Sequence, residues 1–190
     1  SIECDRDGDI WLGTNEGVTK IQFVSTNGSS NTSANVKNYN STPELKGKTI
    51  YAIHEDNYGN LWFGTQESGA VRMIRSTGKV DVFDLSNGLA DNSVFAIASD
   101  DEGNVWFGTR AGASKFVSDK SDIVNYSTKD SLGGNNVYRI FKDSKGRMWF
   151  GALGGELSVY ENNAFKKIGI KEGLRHKFIL SIAEDQGGNI

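Results

Sequence analysis

Four tryptophans, Trp11, Trp62, Trp106 and Trp149, stand 51, 44 and 43 residues apart, and each sits in the same local phrase. The phrases are Asp7-Gly8-Asp9-Ile10-Trp11-Leu12-Gly13-Thr14, Gly59-Asn60-Leu61-Trp62-Phe63-Gly64-Thr65, Gly103-Asn104-Val105-Trp106-Phe107-Gly108-Thr109 and Gly146-Arg147-Met148-Trp149-Phe150-Gly151-Ala152. A fifth copy opens at Gly188-Asn189-Ile190, so the chain is expected to stop inside a repeat. A period of this length means an array of small supersecondary units that share a core by stacking.

The flanks recur as well. Apolar runs ending in an acid precede each tryptophan phrase, at residues 51–56, 94–100, 137–143 and 178–185, and read as strands. A glycine then opens another alternating run, as in Gly69-Ala70-Val71-Arg72-Met73, and a fourth short run follows, as in Val80-Asp81-Val82-Phe83. Four strands per unit of about 43 residues, with no helical period, is the arithmetic of a β-propeller blade. The predicted fold is therefore all-β, with blades at 1–40, 41–84, 85–127 and 128–168 and the first strand of a fifth at 169–190. Leu61-Trp62-Phe63 is apolar on successive residues because both faces of a blade meet neighbours, so Trp62 and Phe63 are expected to point opposite ways.

Composition agrees. The chain of 190 residues has 23 glycines and one proline, so glycine must make the turns, and the Asp-x-x-Gly-Asn connection has the chemistry of a tight hairpin. With 21 basic and 24 acidic residues the net charge is −3, which offers no field for nucleic acid. The single cysteine, Cys4, excludes an internal disulfide and a thiolate metal site. No apolar stretch approaches the ~20 residues of a membrane-spanning helix. With no initiator Met and no apolar leader at its start, the chain is expected to be a piece of a longer protein.

Two motifs read as false leads. Asp5, Asp7, Asp9 and Glu16 fall at positions 1, 3, 5 and 12 of a calcium loop, but that loop needs glycine at position 6, where Ile10 stands. No metal or cofactor is expected. The insertion at residues 25–35 is polar and reads as a mobile surface loop. Asn27, Asn31, Asn40 and Asn125 match the glycosylation acceptor pattern through composition.

The phrase from Val94 to Phe116, with its lead-in Asn87-Gly88-Leu89-Ala90-Asp91-Asn92-Ser93, resembles the two-component regulator propeller repeat. All four units share the resemblance. Ala152 for Thr, Arg147 for Asn and the lead-in Leu45-Lys46-Gly47-Lys48 depart from it. The resemblance implies the periplasmic sensor region of a Bacteroidetes hybrid histidine kinase, anchored in the membrane by its parent chain, and recognition of oligosaccharides. The Gly-x-x-Trp-Phe phrases are also similar to those of the virginiamycin B lyase type of propeller. That type implies a His general base with an acid and a magnesium ion, and the matching His phrase is absent here.

In a propeller, the second-to-third strand turns and the blade-to-blade connections share one face. In this chain they are 15–16, 66–68, 110–111 and 153–154, and 46–48, 90–93, 133–136 and 174–177. They differ from unit to unit, as the loops of a one-sided site do and as unselected loops do equally. Amides and guanidinium groups satisfy sugar hydroxyls, so the candidate ligand residues are Asn15, Gln66, Glu67, Asn92, Arg110, Asn136, Arg175 and His176. Phe95 and Tyr138 offer rings for stacking, with burial between blades as the competing use. The tryptophans are framework, as their shared phase dictates. His54 and His176 lie in no catalytic pattern, so the segment is expected to be non-enzymatic, with a propeller lyase or hydrolase and a protein-interaction scaffold as the alternatives. An open arc of blades exposes edges and apolar faces, to be covered by further blades or by self-association.

Overall fold

A computed structural model describes residues 1–25 and 32–190 and contains four antiparallel four-stranded sheets. The first holds β1 (Ile2–Cys4), β2 (Ile10–Thr14), β3 (Gly17–Ser25) and β4 (Thr32–Asn38) in that order. The second holds β5 (Ile50–Glu55), β6 (Leu61–Thr65), β7 (Ala70–Met73) and β8 (Val80–Phe83). The third holds β9 (Val94–Ser99), β10 (Val105–Thr109), β11 (Gly112–Val117) and β12 (Asp122–Tyr126). The fourth holds β13 (Val137–Lys142), β14 (Met148–Ala152), β15 (Leu157–Glu161) and β16 (Ala164–Ile168). The first strands β1, β5, β9 and β13 lie side by side, so the sheets converge on a common axis as blades.

Packing between blades follows the Trp-Phe pair. Trp62 is buried with Phe107 of the next blade, while Phe63 is buried with Trp11 of the blade before. Trp106 meets Phe150 in the same way. An aromatic side chain buries about 150–250 Å², which at about 25 cal/mol per Å² is about 4–6 kcal/mol before chain entropy is counted. The glycine after each Trp-Phe pair is a close-approach site: a Cβ on Gly64 or Gly108 would lie 2.8 or 2.7 Å from the carbonyl oxygen of Val94 or Val137 in the next blade.

The acid that ends each first strand holds both the turn and the tryptophan. Asp5, Asp56, Asp100 and Asp143 accept the indole N–H six residues on, at 2.8, 2.7, 2.9 and 2.8 Å. The other carboxylate oxygen accepts the backbone N–H groups two and four residues on. The turn glycines Gly8, Gly59, Gly103 and Gly146 have φ of 82, 82, 82 and 77°. One hydrogen bond contributes about 1 kcal/mol net, so packing supplies the stability and the carboxylate supplies the orientation. Burial alone would raise the pKa of Asp100 and Asp143. Their indole and other hydrogen bonds outweigh it and leave both lowered.

The departures of the fourth unit have structural explanations. In blades 1 to 3 a third-strand cation, Lys20, Arg72 or Lys115, lies over the tryptophan ring. Val159 takes that register position in blade 4, and Arg147 supplies the cation from the turn, 5.1 Å from the Trp149 ring and 2.6 Å from Asp143. Thr14, Thr65 and Thr109 close the second-to-third strand turn by donating to Gly17, Gly69 and Gly112. Ala152 cannot, and the corresponding turn is held by Leu153 N–H on Asn136 and Glu156 N–H on Gly133. Leu45, in the degenerate lead-in, is as buried as Leu89 and Leu132 in the other connections.

Two expectations need correction. Residues 32–35 and Ser25 belong to strands, not to a loop: β3 and β4 pair from Thr19↔Asn38 to Ser25↔Thr32. The ladder is made by main-chain groups and needs no apolar side chains. The remaining insertion residues, 26–31, lie outside those described. The start of the fifth unit forms its turn, with Asp185 accepting from Gly187 and Asn189, but no strand ladder. Residues 178–185 have only an isolated Leu153↔Phe178 bridge and no strand ladder. Ile179 and Ile182 nonetheless pack on Trp149.

Candidate ligand-binding site

The inner ends of the first strands of blades 2 to 4, β5, β9 and β13, each carry a β-bulge. Ile50 pairs with Thr65 and Ala52 with Gly64, leaving Tyr51 as the extra residue. The same shift leaves Phe95 between Val94 and Ala96, and Tyr138 between Val137 and Arg139. A bulge re-aims the side chain it leaves unpaired. The three rings form a row: Tyr51 lies 5.5 Å from Phe95, and Phe95 stacks on Tyr138 at 4.2 Å and 18°. Phe95 and Tyr138 are half-buried and Tyr51 is exposed, and the rings touch one another from blade to blade outside the buried Trp-Phe clusters. Tyr51 was legible only as the third aromatic at this register.

Beside Tyr51 the inner strands line a cavity of about 450 Å³, with Ile53, Ile97 and Ile140 among its apolar side chains and Ser1, Glu3, His54 and Arg139 among its polar and charged ones. His54 joins three blades: its Nε2 is 2.8 Å from Ser99 Oγ, and its Nδ1 is 3.9 Å from Glu3. Burial pushes the His54 pKa down to about 4 against the pull of Asp56 and Glu55, and Lys142 adds to the depression. Burial, with Glu55 nearby, raises Glu3. A neutral imidazole with so low a pKa is a weak base, and its contact to Glu3 is too long for a hydrogen bond.

The loop candidates divide into two groups. Gln66 and Glu67 line a cleft of about 240 Å³ with Lys48 and Thr49. Glu67 and Asn92 line a second, of about 430 Å³, with Pro43, Glu44, Lys48 and Asp84. Asn92 is partly committed to the fold, since its Oδ1 accepts Leu85 N–H at 2.8 Å. Asn135 does the same for Thr128, seven residues before it, a spacing visible in the sequence. Asn15, Arg110, Asn136, Arg175 and His176 line neither cleft. Arg110 bonds Ser93 and lies 4.0 Å from Asp91. The Asn136 side-chain oxygen is buried with no hydrogen-bond partner. Arg175 and His176 are exposed, and the His176 ring is 5.2 Å from Phe178. On the opposite face, Asp5, Asp7 and Asp9 cluster, and cations already meet them: Arg75 lies 3.4 Å from Asp5 and also bonds Asp7, and Lys20 lies 2.5 Å from Asp9.

Radial four-stranded blades around a polar cavity with variable loops at one mouth define a β-propeller. The family model of the two component regulator propeller matches residues 1–16, 44–67, 88–111 and 131–154, one stretch in each blade, and the chain is built of these repeats. Among solved structures it is similar to the extracellular domain of a B. thetaiotaomicron protein described as a hybrid two component system, at 25% identity and a TM-score of 0.77. That match covers 98% of this chain and 25% of the other. A second such B. thetaiotaomicron domain matches at 18% identity, TM-score 0.74, over 98% of this chain and 27% of that one. An inactive virginiamycin B lyase from Staphylococcus aureus, solved with quinupristin, matches at 17% identity, TM-score 0.67, over 91% and 56%. The last two show the fold alone. The chain thus spans about a quarter of the length of its two-component neighbours. Among curated proteins none matches. No helix among the described residues is long and apolar enough to cross a membrane.

Proposed function

We propose that this propeller is the periplasmic ligand-sensing part of a two-component signalling protein, and that it binds an oligosaccharide at the loop-side mouth of its channel without chemical turnover. The observation that carries the reading is the row Tyr51, Phe95 and Tyr138, left unpaired in the strand ladders by three equivalent bulges and outside the buried Trp-Phe clusters. Flat apolar rings suit the faces of pyranose rings. The cavity beside Tyr51 falls within the ~300–1,000 Å³ of small-molecule sites. Gln66, Glu67 and Asn92 line two further clefts and offer amide and carboxylate groups for hydroxyls.

Calorimetric titration against an oligosaccharide panel, with chromatography of each mixture, tests the reading. Saturable heat with the sugar recovered intact is the expected result. Recovery of a cleaved or eliminated product would assign a lyase or hydrolase instead, and absence of heat with every sugar would contradict ligand sensing of this class.

A further inference from the structure

The register position held by Ser1, Ala52 and Ala96 in the first three blades is small, and in the fourth blade it is Arg139. Arg139 is exposed and lines the channel cavity. Five of the seven arginines, Arg6, Arg72, Arg75, Arg110 and Arg147, have a carboxylate within 4.0 Å. Arg139 has none among the described residues, although Glu3 lines the same cavity from the first blade. A guanidinium is a planar fork whose best partner is a bidentate oxyanion, and a neutral hydroxyl satisfies it less well.

We propose that the channel cavity selects an anionic sugar ring, a uronate or a sulfated pyranose, with its acidic group on Arg139 and its flat face against Tyr51. The proposal rests on the oligosaccharide-sensing reading and narrows it. The far wall fixes the orientation: the Glu3 carboxylate repels the anionic edge and accepts from hydroxyls, while His54 offers a neutral ring. Carboxylate and sulfate share the chemistry that Arg139 recognises, and the test separates them.

The test titrates wild type, Arg139→Lys and Arg139→Gln with uronate-containing and sulfated oligosaccharides, each beside its methyl-esterified or desulfated counterpart. The expected result is binding of at least one acidic sugar, weakened about tenfold or more by removing its charge. Arg139→Gln removes that difference and Arg139→Lys keeps part of it, with unchanged melting temperatures. The arm that binds tells carboxylate from sulfate. Charge-neutral counterparts binding as tightly as the acids, or acidic sugars indifferent to Arg139→Gln, would overturn the proposal and leave the sensing reading standing. Binding of neither kind would remove both.

Discussion

At the turn face of the propeller, Asp5, Asp56, Asp100 and Asp143 hold their tryptophans in nearly superimposable geometry, with Trp62 and Trp106 fully buried. At the inner ends of the first strands of blades 2 to 4 bulges instead leave Tyr51, Phe95 and Tyr138 outside the buried Trp-Phe clusters, and one position farther on the repeat changes from alanine to Arg139. The same strands serve both regions. Identity from blade to blade marks the groups that neighbouring blades bury, and divergence marks the groups that no neighbouring blade needs. Stability and recognition should therefore separate under mutation.

The largest effect is expected for Trp106→Ala, which empties a site shared by two blades and should lower unfolding free energy by about 3–5 kcal/mol in urea titration. A loss of that size for Tyr51→Ala would break the separation. Asp100→Ala leaves the Trp106 indole and two backbone N–H groups without their acceptor, with an expected loss of about 2–3 kcal/mol. Gly108→Ala forces the third and fourth blades apart at Val137, at a cost of about 1–3 kcal/mol, read as a lower melting temperature.

Acidity sharpens the contrast further. The folded chain keeps His54 neutral down to about pH 4, whereas an unfolded histidine takes its proton near pH 6.5. Between those values the unfolded state binds the extra proton, so stability falls as pH falls through the window, by about 1–3 kcal/mol. His54→Gln should flatten that part of the profile. Asp100 and Asp143, lowered in the fold, contribute stability above about pH 3.9 that is lost as pH falls below it. The smallest effects on stability are expected for Gln66→Ala and Arg110→Ala, within about 0.5 kcal/mol. Gln66→Ala should nonetheless weaken ligand binding, as titration would show.

Much of the frame was legible in the chain because its causes are local. The Asp-x-x-Gly-Asn turn, the glycine at positive φ and the opposed Trp-Phe pair follow from spacing and from period two. The indole latch was not read from the sequence, although the constant six residues from Asp to Trp carry it. The bulges were not, since a bulge is a property of two paired strands, and only the recurrence of an aromatic after Ile50, Val94 and Val137 hinted at them. Contacts between blades were equally hidden, as where His54 reaches Ser99 across 45 residues, and so was the exchange within blade 4 by which Arg147 replaces the missing third-strand cation. Of the loop candidates, Gln66, Glu67 and Asn92 converge because two successive connections meet at one blade junction, whereas Arg110 is held by its own neighbours Ser93 and Asp91.

The separation of recognition from stability is tested most directly by titrating the Tyr51→Ala/Tyr138→Ala double variant with an oligosaccharide that the wild-type chain binds. The expected result is loss of the binding heat with the melting temperature preserved within a few degrees. Retained affinity, or collapse of the fold with the two rings gone, would contradict it.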